Sequence, residues 1–520
     1  MPKNPTSRNS SSHPSLRIAI IFSVCFLISE FIISSFHEFW RDEIQAWSVA
    51  FQSHSLSELF FITRFEGHGK LYYVSLYIIQ HFTDSIASLK VINITFATFY
   101  AFVFYYFSPF KTVEKILFCF GYYFFFEYGI ICRDYSLEIL LLFLTTVLYL
   151  NYSGRYILLN SLLFFLLFQI NIYGVILGIV LYGYIIFNLW KTKTIAKGSI
   201  IFSLIIVFTG LIISIYYFIP PPDLGFANKW VNNFDSKILI NVLTRIFAGY
   251  FPFPEIKIKF WNTNFTEAFP DFQIIQLILA LIVLVIVSLI FSKKRKVLLF
   301  FYAGTIGLML FSYFKYYGYQ RHFGQLFLLF VLCLWIYIAE DKSDSDTKLA
   351  GINYLRMYFL YVLLIVNLSA TFVAVYYEIN YPFSNAFAVA QYLKANSLDT
   401  MNIGGDEYNT SSISGLLNKP IYYPQTNRMG TYILFSNKRT WLSSSEIIEK
   451  INSHFAHLNQ NYLLILSYPV EPAPLNWQFI RGFDSSIVGD ENYFIYKIKP
   501  NSSLENKELL KYLNNLRRMN

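Results

Sequence analysis

Residues 18–73 read IAIIFSVCFLISEFIISSFHEFWRDEIQAWSVAFQSHSLSELFFITRFEGHGKLYY. The opening run, 18–36, is apolar over nearly the ~20 residues that a bilayer core requires. It is too long for a usual signal core and lacks a small-x-small cleavage site, so it reads as a retained first span. It gives way to a polar stretch beside the membrane, rich in aromatics, with adjacent acids (Asp42, Glu43) and a third acid near a histidine (Glu66, His68). Charge is costly next to lipid, which makes this stretch a candidate reaction site.

Composition sets the class. The chain of 520 residues is 55% hydrophobic and 20% aromatic, and only 14% of it is charged. Soluble domains carry roughly 25% charge. Apolar runs of bilayer length recur over 18–36, 88–107, 116–131, 135–150, 157–170, 172–190, 198–219, 272–291, 297–313, 323–339 and 354–378. The expected fold is a polytopic α-helical membrane protein of about eleven spans with a small C-terminal α/β domain. The net charge of +9 belongs to membrane topology, since no basic stripe with a nucleic-acid motif accompanies it. Cys25, Cys119, Cys132 and Cys333 have no CxxC spacing and read as small apolar residues.

Basic residues fix the expected orientation. Lys111 and Lys115, Arg155, Lys191 with Lys193 and Lys197, and the block Lys293 to Lys296 fall in alternate loops, on the side of the basic tail 1–17. The positive-inside rule makes that side cytoplasmic. Loop 37–87, loop 220–270 and the region after Tyr381 then lie outside, as expected for a plasma (bacterial inner) membrane protein. Four parts follow: the tail 1–17, a membrane domain 18–380, an extracytoplasmic α/β domain 381–500, and a charged tail 501–520.

Within loop 37–87, Ile44, Trp47 and Phe51 recur at helical spacing, as do Leu71, Val74, Ile78 and Phe82. Two amphipathic helices in the outer interface are predicted. Asp42 would start the first, where the helix dipole favours an ionised carboxylate. In 381–500, helical patterns (383–394, 445–455) alternate with strand-like runs (401–404, 421–423, 462–467, 493–498), and Ser443 with Glu446 fits a capping box.

Three segments carry chemistry. Asp42 and Glu43 read either as a solvated pair at a helix start or as a general base held near the membrane by Trp40 and Trp47. In CRDYSLE (132–138), Arg133 reads either as a phosphate ligand or as the partner of Asp134 or Glu138. In KYYGYQRHFG (315–324), Arg321 and His322 read as external cations or as snorkelling side chains. Cations at several outer span junctions, facing a carboxylate, suit a phosphate leaving group and a hydroxyl nucleophile. PPPDLG (220–225) opens an outer loop with Trp230 and the aromatic-rich stretch 247–261, which reads as a lid or packing element, and GGDEY (404–408) reads as a plain turn or as an acceptor site.

WRDEIQAW (40–47), EGHGKLYY (66–73), Arg133-Asp134-Tyr135 and Arg321-His322 together resemble the GT-C superfamily of membrane glycosyltransferases. The resemblance is to the protein O-mannosyltransferase-like branch that includes the lipid A aminoarabinose transferases, and it spans roughly 18–340. It implies a hexosyl- or pentosyl-transferase that takes sugar from a polyprenyl-phosphate donor at the outer face and passes it, with inversion, to a lipid, glycan or protein hydroxyl. Asp42, with Glu43, would be catalytic. Lys70, Arg133, Arg321 and His322 would hold the donor phosphate, and Glu66, His68, Tyr72, Tyr73 and Tyr135 would contact substrate. The family's usual Pro-Pro is replaced here by Gly69-Lys70. No cofactor is demanded, although the acids would admit a divalent cation.

Two rivals share the topology. Transporters and flippases usually place charge at mid-depth and show repeats, neither of which is evident here. Lipid-linked glycan ligases and polymerases usually place their key residues in a late outer loop, whereas the densest cluster here is in the first.

Overall fold

Ser15 accepts the backbone N–H of Ile18 and so starts α1, Leu16–Ser34. The computed structural model describes residues 14–499 except 153, 226–229, 341–349, 459, 471–472 and 475. Most of the expected tail 1–17 and all of the tail 501–520 lie outside the described residues. Past α1 come three short helices, α2 (Arg41–Gln52), α3 (Leu56–Ile62) and α4 (Lys70–Gln80), then α5 (Ala87–Phe107). α6 (Thr112–Cys119) and a π-helix (Tyr123–Ile130) lead to α7 (Tyr135–Tyr152), α8 (Ile157–Phe168), α9 (Ile172–Thr192) and α10 (Lys197–Phe218). α11 (Ser236–Tyr250), α12 (Phe272–Phe291), α13 (Arg295–Phe314), α14 (Gln320–Ala339) and α15 (Ala350–Asn380) complete the bundle.

Nine helices among the described residues are long and apolar enough to cross a membrane: α1, α5, α7, α9, α10, α12, α13, α14 and α15. α10 and α12 turn large apolar side chains outward (Phe202, Phe208, Ile274, Leu281), as lipid-facing helices do. α14 is buried from Gln320 to Tyr337 and forms the centre of the bundle. Two expected spans differ. α8 is apolar but short. The run 116–131 is not one helix, because it breaks at Gly121 between α6 and the π-helix. The π-helix is wholly buried, and the Asn93 amide donates to the carbonyls of Gly129 and Ile131 at its end. Irregular backbone is tolerated at membrane depth when protein covers it.

The C-terminal domain builds a six-stranded mixed sheet. Its elements are α16 (Ala386–Ala395), β1 (Asn402–Gly405), α17 (Glu407–Leu417), β2 (Ile421–Tyr423), β3 (Arg428–Gly430), α18 (Ser444–Phe455), β4 (Tyr462–Leu466), β5 (Trp477–Phe483) and β6 (Tyr493–Ile498). The sheet order is β3-β2-β1-β4-β6-β5, with β1 parallel to β2 and β4 and the other pairs antiparallel. Alternation along β4 serves two cores. Leu463 and Ile465 join α16 and α17, while Tyr462, Leu464 and Leu466 join α18. Ser443 and Glu446 close a capping box at α18.

This domain sits over α2, which alters the expected picture of that helix. Its residues from Glu43 to Ala50 are all buried, so α2 is not a surface helix lying in the interface. α17 crosses it so closely that a Cβ on Gly415 would stand 2.5 Å from Ser48 Oγ and 2.6 Å from Ile44 Cγ2. Segment 220–225 is a packing element. Gly225 N–H donates to Phe435 O at 2.8 Å, and Asn437 N–H donates to Asp223 O at 2.6 Å. The strand-to-helix junction at 404–408 is more than a turn, since Asp406 accepts the backbone N–H of Asn409 and caps α17.

Candidate active site

Local chemistry fixes the start of α2. Glu43 reaches back and accepts the backbone N–H of Trp40 at 2.9 Å, which leaves Asp42 in the first turn at the positive end of the helix. Adjacent helical residues point about 100° apart. Glu43 therefore faces inward, while Asp42, its side chain 33% exposed, turns toward the guanidinium groups of Arg133 and Arg321.

Two arginines from distant segments meet Asp42. Arg133, in the short link between the π-helix and α7, places Nη1 3.4 Å from Asp42 Oδ2. Arg321, in the first turn of α14, places Nη2 3.7 Å from the same oxygen. The Arg133 Nη2 group also contacts His68 Nε2 at 3.1 Å, and His68 Nδ1 stands 3.5 Å from Asp134 Oδ2. The structure thus brings Asp42, His68, Arg133 and Arg321 together, and the close partners of Arg133 are Asp42 and His68. Burial pushes the Asp42 carboxyl upward, but Arg133, Arg321, Arg41 and His68 outweigh it and hold the group below the usual carboxylate range. Burial pulls the Arg133 guanidinium down, and Asp42 and Asp134 more than reverse this.

Aromatic walls hold Arg321. Its guanidinium lies over Trp40, Trp261 and Tyr319 at 5.2, 5.3 and 5.1 Å from the ring centroids. Gln45 ties the floor to the roof. It donates to Glu66 Oε1 and to Ile433 O, both at 2.8 Å, and accepts Ile433 N–H at 2.9 Å. Tyr73 donates to Glu66 at 3.4 Å, and Tyr72 donates to Cys132 O at 3.1 Å, beside Arg133. Burial raises the Glu66 pKa despite the Gln45 hydrogen bond.

Gly69 explains the departure from Pro-Pro. Its N–H donates to Ile170 O and the Leu71 N–H to Gln169 O, both at 2.9 Å. A proline at 69 would forfeit the first bond. A side chain there would also strike backbone, since a Cβ would sit 2.1 Å from Gln169 O.

Three expected roles change. Glu43 is fully buried, with its oxygens on His37, Trp40 N–H and Cys132 N–H, so it is not aligned with Asp42 as a second catalytic acid. His322 is not a second cation beside Arg321. Its Nδ1 accepts Tyr319 N–H at 2.7 Å and so carries no proton, and its ring stacks on Tyr173 and meets Tyr135 edge-on. Lys70 is buried with its amine 5.1 Å from the Tyr217 ring, and its close charges are Glu66 and Arg64 rather than the Asp42 group. Among the described residues no set of three or more His, Cys, Asp or Glu is placed to hold a metal ion. A separate cavity of about 410 Å³, lined by Asn241, Arg245, Gln273, Lys315 and Tyr317 among others, does not include Asp42.

Trp261 closes the aromatic stretch read as a lid or packing element, whereas Gln45 and the roof contacts at Ile433 and Tyr408 are not foreseen from the sequence. Arg41 stacks on Tyr408 at 3.6 Å, contacts Asp490 at 3.2 Å and donates its backbone N–H to Glu491 at 2.8 Å. These partners lie hundreds of residues apart in sequence, and no local pattern marks them.

No family model matches the sequence, and no curated protein matches it. Among solved structures the chain is similar to the crystal structure of ArnT from Cupriavidus metallidurans in the apo state. The TM-score is 0.46 at 10% identity, over 92% of this chain and 98% of that one. A likeness of this size leaves function to the chain's own residues. By those residues the chain is a polytopic α-helical membrane protein with a C-terminal α/β domain packed on α2, beside a carboxylate–arginine cluster.

Proposed function

We propose that this chain is a membrane glycosyltransferase of the GT-C kind, moving a sugar from a polyprenyl-phosphate donor to an acceptor hydroxyl at the outer face. The observation that carries this reading is one carboxylate, Asp42, within 3.4 and 3.7 Å of two guanidinium groups contributed by separate segments. For a hydroxyl to displace a phosphate from carbon, a general base must serve the hydroxyl on one face of that carbon and cations must hold the leaving phosphate on the other, so both kinds of group are needed within one site.

The steps follow from that pairing. Arg133 and Arg321 bind the donor phosphate. In doing so they share their charge with it and relinquish part of their hold on Asp42, whose proton affinity then rises. Asp42 takes the proton of the acceptor hydroxyl. The acceptor oxygen attacks the anomeric carbon from the face opposite the phosphate, so configuration inverts. The bond from that carbon to the phosphate oxygen breaks, and its electron pair leaves with the lipid phosphate, held by the arginines. His68 steadies Arg133, and Trp40 with Trp261 keeps Arg321 in place.

The acids within the membrane helices weigh against transport. Glu30 lies four residues from the end of α1 and Glu138 three residues from the start of α7, whereas transporters usually carry charge in mid-span.

The test supplies purified full-length protein in lipid nanodiscs with a panel of polyprenyl-phosphate hexoses and pentoses and follows release of lipid phosphate. Asp42→Asn keeps size and removes the base, and should cost about 10²–10⁴-fold in rate. Near-normal turnover by a folded Asp42→Asn protein would reject the mechanism.

A further inference from the structure

Behind the cleft lies a second, closed group of charges. His37, between α1 and α2, has both ring nitrogens on carboxylates. Its Nδ1 is 2.8 Å from Glu378 Oε1 at the end of α15, and its Nε2 is 3.1 Å from both oxygens of Glu43. The side chains of His37 and Glu43 are 0% exposed. Glu43 also accepts two backbone N–H groups, Trp40 at 2.9 Å and Cys132 at 2.5 Å. Those two contacts sit just ahead of Asp42 and Arg133 in the chain. One carboxylate therefore pins both sides of the cleft.

The geometry decides the charge of the ring. A neutral imidazole donates from one nitrogen only, and its other nitrogen would turn a lone pair on a carboxylate. Two carboxylates on two nitrogens call for an imidazolium. Around it stand Glu43 from α2, Glu378 from α15, Glu38 beside it and Lys90 from α5. Lys90 donates to the carbonyls of Ser34 at 2.8 Å and His37 at 2.6 Å. Cys132 completes the wall.

We propose that Glu43 and the imidazolium of His37, bridged to Glu378, form a positioning fastener that sets the spacing of Asp42 and Arg133, and that loss of the His37 proton loosens it. The inference deepens the reading of the cleft as a donor-phosphate site and rests on it. Burial favours neutral His37, but the attraction of Glu43 and Glu378 outweighs it and raises the group from its ordinary value to about 9. The sign follows: the contribution is fully present below about pH 6.5, the ordinary histidine value, and is lost as pH rises through about 9. Glu38, pushed up to about 7 by burial, has finished titrating before that loss. So has Lys70, pushed down to about 7.

Polyprenyl phosphate itself is the probe, bound to full-length protein in nanodiscs and measured from about pH 8 to about pH 10, a window chosen to straddle the raised histidine. Wild-type affinity should fall roughly tenfold across it, in keeping with the sensitivity of a positioned site to small displacement. Glu378→Gln removes one of the two acids that hold the proton, so the fall should begin at lower pH, and thermal unfolding near neutrality should come somewhat earlier than in wild type. His37→Gln should bind more weakly and show no such fall. Coincident pH curves for wild type and Glu378→Gln would overturn the fastener, as would a wild-type curve that stays flat. If the folded wild type fails to bind polyprenyl phosphate at any pH, the phosphate-site reading falls first and the fastener falls with it.

Discussion

The two glycines that flank His68 are required for opposite reasons, and substituting them should separate those reasons. Gly67 holds a φ of +69° with nothing within 4 Å of the position of a Cβ. Alanine there meets only the left-handed backbone penalty, about 1–2 kcal/mol. Gly69 has ordinary φ but no space. A Cβ would lie 2.1 Å from Gln169 O and 2.6 Å from Ile170 O, which are backbone atoms that cannot swing aside. Overpacking of this kind costs about 1–3 kcal/mol. Relieving the clash separates the strands of chain at 69–71 and 169–170 and endangers two hydrogen bonds, each worth about 1 kcal/mol. Gly69→Ala should therefore cost roughly 3–5 kcal/mol. It should also carry His68 away from Arg133. The assay is thermal unfolding of purified full-length protein by tryptophan fluorescence at one scan rate, because unfolding of such a protein is often irreversible and only the order of midpoints is then meaningful. Wild type should unfold last, Gly67→Ala next and Gly69→Ala first. A Gly69→Ala protein at least as stable as Gly67→Ala would refute the close approach of α4 to the 169–170 turn.

The amine of Lys70 is buried, lacks a hydrogen-bond partner, and is pushed down by burial to about 7. Between about pH 7 and pH 10 the unfolded chain binds a proton there that the folded protein does not, so this group's contribution to stability rises with pH. The wild-type midpoint minus that of Lys70→Met should climb across that window, and a flat difference would contradict the burial of the amine. Gln45→Ala removes three hydrogen bonds that join α2 to Ile433 and Glu66, at a cost of roughly 2–3 kcal/mol. Limited proteolysis should then cut near 432–437 more readily than in wild type, and unchanged protection would show that the roof is held by other contacts.

Much of this fold is legible in the sequence because periodicity and caps are local. Ser443 and Glu446 mark the start of α18, and the alternating runs at 421–423 and 493–498 coincide with β2 and β6. β5 is harder to read, because a bulge between Phe479 and Arg481 breaks its alternation at the sheet edge. α17 (EYNTSSISGLL) is rich in poor helix formers, and it is held by the Asp406 cap and by packing on α2. The charged residues of the cleft stand out because charge beside lipid is rare. Which acid of the adjacent pair faces the cleft is not local information. It is set by His37, Glu378 and Cys132 behind Glu43 and by Arg133 and Arg321 before Asp42. The break at Gly121 is hidden for a similar reason, since its apolar run looks continuous and only the cover of neighbouring helices permits the π-helix.

In the proposed mechanism two arginines from separate segments hold a lipid phosphate near one carboxylate. A structure of the full-length protein in a lipid nanodisc with polyprenyl phosphate measures this directly. The phosphate is expected within hydrogen-bond reach of both Arg133 and Arg321, with Asp42 nearby and open to an approaching hydroxyl. A phosphate settled instead in the separate cavity at Arg245 and Lys315, with Asp42 still paired to both arginines, would contradict it.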